Sequence, residues 1–396
     1  MTQATGAEAR PSVGAGRLAH RLSRARHLAA DAGLDALLVG VGADLLYLAG
    51  YGAPPLERLT MLVVPAAGRP SLVVPRLEAM AARAIAVAEA GTVAVVPWDE
   101  TDDPFAIVRV AIARDAREAG RAIVGAFAVS DRLWATFLLR LQAELSGATF
   151  EPLSGILRAE RVVKDPDEIE LLHSAAHAAD RVIEAVAHGR LIGRTELDVS
   201  REIRDRLLAE GHEVAAFAIV GSGPNSASPH HQPTERAIRA GEPIVLDIGG
   251  TIAGYGSDIT RTLWVNGGDP AKGPDHDFLT LYGVLRGAQA EATHAVRPGV
   301  PAERVDAVAR EIIGAAGLAD RFIHRTGHGI GLEEHEDPYI VAGNDEPLRA
   351  GMAFSIEPGI YLEGRYGARI EDIVVCGETG PIVLNAVTRD LLVVHG

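Results

Sequence analysis

The chain has 396 residues, with 53 acidic against 38 basic side chains and a formal charge of −15. A field of that sign repels phosphate backbones and anionic lipid, which argues against nucleic-acid and membrane-surface roles. Hydrophobic residues make up 47% and charged residues 23%, an ordinary globular balance on a chain long enough for two domains with a core each.

Residues 1–16 are small and polar, contain no apolar segment of the signal-peptide kind and are expected to be disordered. Leu18, Leu22 and Leu28 then recur at helical spacing up to Gly33. Beyond Gly33 the signals alternate. Residues 34–41, 59–64, 71–74, 92–96 and 122–126 predict strands, and residues 77–88, 104–116 and 131–145 predict helices. Such alternation predicts a small α/β domain over residues 17–158. Its apolar run at residues 36–43 is bracketed by Asp35 and Asp44 and is too short to span a bilayer.

A second domain is expected over residues 159–396, with the boundary between 155 and 163. Its first helix announces itself: Asp165 caps, Pro166 suits the first helical position and Glu168 closes a capping box. Ile169, Leu172, Ala176, Val182 and Val186 continue it at helical spacing, and another helix is predicted over residues 196–209. The single cysteine, Cys376, lies in an apolar run and reads as a buried structural thiol. One cysteine forms no intramolecular disulfide, which fits a reducing, cytoplasmic compartment.

This domain holds a short internal repeat. An apolar strand ends at Asp247, passes through Gly254-Tyr255-Gly256 to Asp258, and continues into Thr262-Leu263-Trp264-Val265. A second apolar strand ends at Glu357, passes through Arg365-Tyr366-Gly367 to Glu371, and continues into Ile373-Val374-Val375. Two β-hairpins of this form would each present a pair of carboxylates. Carboxylates beside buried strands need a partner: a salt bridge, a turn hydrogen bond, solvent at the strand end, or a cation. Between the two pairs stands His328, flanked by Gly327, Gly329 and Gly331. The spacing from His328 to His335 is not that of an HExxH zincin. The glycines also lack the strand-then-helix setting of a dinucleotide loop.

The phrases VLDIGG, GSDITRT, HRTGHGIGLEEHEDP, FSIEPGIY and ARIED resemble the pita-bread metallopeptidases, the family of methionine aminopeptidase, aminopeptidase P, prolidase and creatinase. The likeness covers residues of about 160–390, and residues 17–155 resemble the creatinase-type N-terminal domain. It implies an α/β N-terminal domain followed by an α+β pita-bread domain with a pseudo-twofold internal repeat. It also implies a dinuclear site in which Asp258 and Glu371 bridge two metals, Asp247 binds one, and His328 with Glu357 binds the other. Mostly oxygen donors with one imidazole suit Mn²⁺, Co²⁺ or Fe²⁺, and Mn²⁺ or Co²⁺ is the expectation. Two such ions about 3.5–4 Å apart activate a water and polarise a carbonyl. By the same resemblance Glu357 shuttles a proton, His230 and His335 face the substrate, and Tyr361 and Arg369 lie just behind the ligands.

The implied activity is hydrolysis of the bond before proline at the N-terminus of short peptides, as a dipeptidase or an aminopeptidase, by a cytoplasmic homodimer. Two alternatives remain: C–N hydrolysis or lysis of a small non-peptide substrate on the same scaffold, and a non-catalytic binding module. Creatinase-type members work without metal and lack parts of the ligand set, whereas all five ligands stand here. His231 is read as the neighbour of His230. Several prolidases carry an arginine shortly after the second histidine to hold the substrate carboxylate. Tyr339 follows His335 here, and Arg349 has no assigned place.

Overall fold

The computed structural model describes residues 13–118, 120 and 124–396. The chain forms two compact units that part between Arg161 and Val162.

The N-terminal unit is built on a six-stranded sheet in the order β4-β3-β2-β1-β5-β6. The strands are β1 (Ala36–Gly40), β2 (Met61–Pro65), β3 (Ser71–Pro75), β4 (Ala94–Trp98), β5 (Ala126–Val129) and β6 (Thr149–Pro152). The pairs β1–β2 and β2–β3 are antiparallel and the rest parallel. Leu38, Val63, Phe127, Phe105, Val108 and Leu141 form a core between the sheet and the helices Pro104–Glu118 and Ala135–Glu144. Each such side chain contributes about 1.5–3 kcal/mol when fully buried.

Four expectations for this unit change. The segment predicted as one helix over 77–88 is a 3₁₀ turn, Arg76–Glu78, and two short helices, Ala79–Arg83 and Ala86–Glu89. Leu77 and Met80 stay 73% and 84% exposed, so no continuous apolar face supports a longer helix, and Ile85 takes an extended conformation between the pieces. The helix expected from 131 begins at Ala135. Asp131 instead accepts the backbone N–H of Ser154 at the start of the Ser154–Val162 helix. The strand expected over 122–126 starts at Ala126, with residues 122 and 123 outside the described residues. Residues 1–12 also lie outside them, and the first helix, Ala15–Asp31, begins two residues before the end of the segment expected to be disordered.

In the C-terminal unit, both expected capping helices form. Pro166–Ala187 carries the Asp165/Glu168 capping box, and Glu196–Ala209 carries one made by Thr195 and Asp198. They pack on a sheet of β7 (Val214–Ser222), β8 (Glu242–Ile252) and β9 (Tyr255–Val265), with a late strand, Leu392–Val394, on its far edge. Val182, Ile183, Val199, Ile203, Val220, Leu246 and Leu263 make that core. The second half is a sheet in which β10 (Gly327–Gly329) lies between β11 (Glu336–Ile340) and β12 (Ala353–Ile356), and β12 pairs with β15 (Asp372–Cys376). Two helices with no counterpart in the sequence reading, His276–His294 and Ala302–Ala315, back this half through Phe278, Leu285, Val305 and Ile313, against Phe354, Ile356 and Val374.

The internal repeat is real but unequal. In the first half β8 and β9 form one continuous hairpin, with Asp247 opposite Thr260 and Gly249 opposite Asp258. In the second half the path is interrupted. Pro358, which has no N–H to give a ladder, follows Glu357. Between β12 and β15 the chain makes a separate hairpin of β13 (Gly359–Leu362) and β14 (Tyr366–Arg369). Glu357 and Glu371 therefore stand at the break, at the adjoining ends of β12 and β15, not along one hairpin. The halves are stitched there by the N–H of Glu371, which donates to Thr260 O at 3.1 Å. Arg261, fully buried, adds a hydrogen bond to Glu371 O and an ion pair with Asp372 at 2.7 Å.

Candidate active site

The fold delivers five chemistry-bearing side chains from five backbone segments to one cavity of about 560 Å³. Asp247 comes from β8, Asp258 from β9, His328 from β10, Glu357 from the end of β12 and Glu371 from the approach to β15. Oxygen and nitrogen atoms of Asp258, His328 and Glu371 lie within 4.8 Å of one another. His328 Nε2 is 3.6 Å from Asp258 Oδ2 and 3.3 Å from Glu357 Oε1. Asp247 lines the same cavity and is tied to the group through Arg369.

Glycine makes this convergence possible. A Cβ on Gly327 would sit 1.9 Å from Ser355 O, and one on Gly329 would sit 2.1 Å from Asp337 O. The strand bearing His328 is thus squeezed between β12 and β11 in a way no side chain allows. Ser355 holds both sides of the group, accepting the N–H of His328 at 3.1 Å and donating to Glu357 Oε1 at 3.1 Å. The His328 Nδ1–H faces Gly329 O at 3.1 Å, which leaves the Nε2 lone pair toward the carboxylates.

The electrostatics are those of a site short of positive charge. Burial, then the neighbouring Glu371, Asp247 and Glu357, push Asp258 well above the usual carboxylate range. Burial, then Glu357 and Asp247, do the same to Glu371. Burial lifts Glu357 to about 7, against the pull of Arg369. Burial, then His335, lower His328 to about 3, so its imidazole is neutral. Asp247 Oδ1 is buried with no hydrogen-bond partner. Carboxylates packed this way are costly unless a cation joins them. Four oxygen donors and one neutral imidazole fit divalent ions of the Mn²⁺, Co²⁺ and Fe²⁺ kind.

Arg369 is the hub behind these groups. It donates to Asp247 Oδ2 at 2.5 Å, Thr260 Oγ1 at 3.0 Å, Tyr361 Oη at 3.0 Å and Pro229 O at 3.2 Å. Arg369 and Glu371 are two residues apart, a spacing that would put both on one face of a continuous strand. The strand breaks at Ile370, so Arg369 grips Asp247 and reaches Glu371 only through Thr260, whose hydroxyl donates to Glu371 Oε2 at 2.6 Å. Tyr361 is buried, its hydroxyl pushed up to about 12, and it donates to His324 Nε2 at 2.9 Å.

Both histidines expected to face a substrate line the cavity. The His335 ring lies 4.0 Å from that of His328, and His230 stands on the exposed turn after Pro229. His231 points elsewhere: its Nε2 is 2.8 Å from Oε2 of the buried Glu196. Arg349 is not brought to the cavity and lies 3.9 Å from Glu346. Sequence reasoning misses several lining residues, and three of them, His324, Arg325 and Glu334, carry polar or charged groups beside His328. Their signal was present, since all three flank His328 within the same glycine-rich phrase. Burial, then Arg369, lower His324 to about 4. Burial, then Asp247, raise Glu334.

Metallopeptidase family M24 matches residues 170–378, and the creatinase/prolidase N-terminal domain matches residues 21–163. A probable dipeptidase PepE of Mycobacterium tuberculosis (strain ATCC 25618 / H37Rv) is 48% identical over 377 residues, which cover 95% of this chain and 96% of that protein. The crystal structure of dipeptidase PepE from Mycobacterium ulcerans aligns with a TM-score of 0.87 at 46% identity, over 97% of this chain and 99% of the other. A recombinant prolidase from Thermococcus sibiricus aligns with a TM-score of 0.87 at 34% identity, over 97% of this chain and all (100%) of the other. Among the described residues no helix is long and apolar enough to cross a membrane. With the creatinase-type domain ahead of an α+β unit that gathers the expected acidic and imidazole groups, the chain is a peptidase and belongs to metallopeptidase family M24 of the pita-bread fold.

Proposed function

We propose that this protein hydrolyses the peptide bond before proline at the N-terminus of short peptides, with two divalent cations, Mn²⁺ or Co²⁺, held by Asp247, Asp258, His328, Glu357 and Glu371. The observation that carries the reading is the buried meeting of four carboxylates and one neutral imidazole, with Asp247 Oδ1 left without a partner. Bound there, such cations lower the pKa of water and polarise a carbonyl. The prolidase likeness supports proline as the residue after the scissile bond.

The chain's own groups have separable roles in this reading. Glu357 Oε1 takes a proton from the attacking water and returns it to the departing proline nitrogen, which has no N–H in the substrate. His230 and His335 donate to the oxyanion that develops on the scissile carbonyl. Arg369 and Tyr361 hold Asp247 and His324 in register and stay out of the chemistry. A homodimer in the cytoplasm is the setting we propose, on the absence of an internal disulfide and the family resemblance. A panel of Xaa-Pro dipeptides, Xaa-Pro-Yaa tripeptides and Xaa-Ala controls, each with Mn²⁺, Co²⁺ and Zn²⁺, tests the proposal. Equal turnover of Xaa-Pro and Xaa-Ala would reject proline specificity.

A further inference from the structure

Three arginines line the cavity: Arg204, Arg325 and Arg369. Arg369 is buried and occupied by Asp247, Thr260, Tyr361 and Pro229. Arg204 is exposed on the Glu196–Ala209 helix, and its Nη1 donates to the carbonyls of Ala215 and Ala216 at 2.8 and 3.4 Å. Arg325 is different. Its half-buried guanidinium lies 4.5 Å from the centre of the Tyr339 ring, and its Nη2 is 3.3 Å from His335 Nδ1. Among the described residues no carboxylate forms an ion pair with it, although Asp247, Asp258, Glu334, Glu357 and Glu371 line the same cavity.

A planar, permanently charged fork over an aromatic face, with no ion-paired carboxylate among the described residues, is suited to a carboxylate that arrives from outside. Its position says which carboxylate. Arg325 touches His335, whose ring centre lies 4.0 Å from that of His328, so the guanidinium stands one side chain away from the ligand cluster. In a dipeptide the free carboxylate lies one residue, about 3.8 Å, beyond the scissile bond. Every further residue carries it about 3.5 Å away. Tyr339 occupies the place where several prolidases carry an arginine, and here its ring supports the guanidinium of residue 325 instead.

We propose that Arg325 binds the free C-terminal carboxylate of a dipeptide substrate and thereby sets the chain length this enzyme accepts. The inference rests on the peptidase reading above and deepens it. A guanidinium from the strand-leading segment before β10 replaces one from β11, with the ring of Tyr339 4.5 Å from it.

The test uses a dipeptide whose scissile amide is reduced to an amine, so that binding needs no turnover. Its free acid and its C-terminal carboxamide are titrated by calorimetry into the full-length protein, metal-free and metal-loaded. The wild type is expected to bind the acid about 10–100-fold more tightly than the carboxamide, the range for a charge-assisted pair. Arg325→Gln is expected to reduce that preference to about twofold while leaving carboxamide affinity unchanged. Tyr339→Arg in that background is expected to restore part of it, and Arg325→Lys to retain part. A preference that survives Arg325→Gln, or a carboxamide weakened as much as the acid, overturns the proposal. Exchange of proline for alanine in the same ligand examines proline specificity separately, so either reading can fail alone.

Discussion

Arg369 Nη2 lies 2.5 Å from Asp247 Oδ2, while the other oxygen of the same carboxylate has no hydrogen-bond partner. A buried guanidinium thus orients Asp247 and leaves Oδ1 for a cation. Replacing Arg369 by Lys keeps a charge but loses the fork that also holds Thr260 and Tyr361. Divalent-metal affinity is expected to fall about 10–100-fold, as for other groups that orient ligands. Calorimetric titration of Mn²⁺ into the metal-free variant checks this, and wild-type affinity would remove the orienting role.

Asp258 faces both His328 and the other carboxylates, and its anion is disfavoured by burial and by Glu371. Asp258→Asn is therefore expected to have opposite effects in two states. Metal binding and turnover should be lost, while the metal-free protein should melt at a higher temperature than the metal-free wild type. Calorimetric melting with and without Mn²⁺ reads both. A lower melting point without metal would show that the cluster is not short of positive charge.

The metal-free protein should show an inverted pH dependence. Glu357 is held at about 7, above its ordinary 4.5, and Asp258 and Glu371 are shifted the same way. A raised folded-state value favours folding below the unfolded value and loses that contribution as pH rises through the folded one. Metal-free stability should thus decline between pH 4.5 and 7, and saturating divalent metal should flatten the decline. Urea denaturation across this range is the measurement, and a profile that rises with pH in the metal-free state would contradict it.

Glu196 behaves in the opposite sense. Burial alone would raise it, but hydrogen bonds from His231, Ser222 and Thr234 outweigh burial and hold it at about 2. From its ordinary 4.5 that shift corresponds to stability on the order of 3 kcal/mol. The contribution is present above pH 4.5 and lost as pH falls toward 2. Glu196→Gln should cost a similar amount at neutral pH. It should also lower kcat, because Glu196 ties down residues on both sides of His230. Loss of stability with unchanged kcat would confine Glu196 to the scaffold.

His335→Ala is expected to retain metal and to lose about 10²–10⁴-fold in rate. Metal content by elemental analysis and steady-state kinetics on the same preparation separate the two, and an unaltered rate would take His335 out of the chemistry.

Much of the candidate site was legible because side-chain type is local. Asp247 and Asp258 interrupt strands whose apolar character is plain, and His328 sits among glycines that only close packing requires. The helix capping boxes were equally local, since Asp165 and Glu168 satisfy each other within one turn. Partnership was not local. Strand periodicity would put Arg369 and Glu371 on one face, but β14 ends at Arg369 and β15 begins only at Asp372, and the guanidinium goes to Asp247, 122 positions away. Adjacent histidines separate in the same way: Glu196, 35 positions before His231, takes that ring and leaves His230 to the cavity. The role proposed for Arg325 depends on the pairing of β10 and β11, which lays Tyr339 beneath it. The sequence by itself determined which groups can hold cations. The tertiary structure decided which charges neutralise one another and which remain for a substrate, because that depends on distances set by packing between segments far apart in the chain.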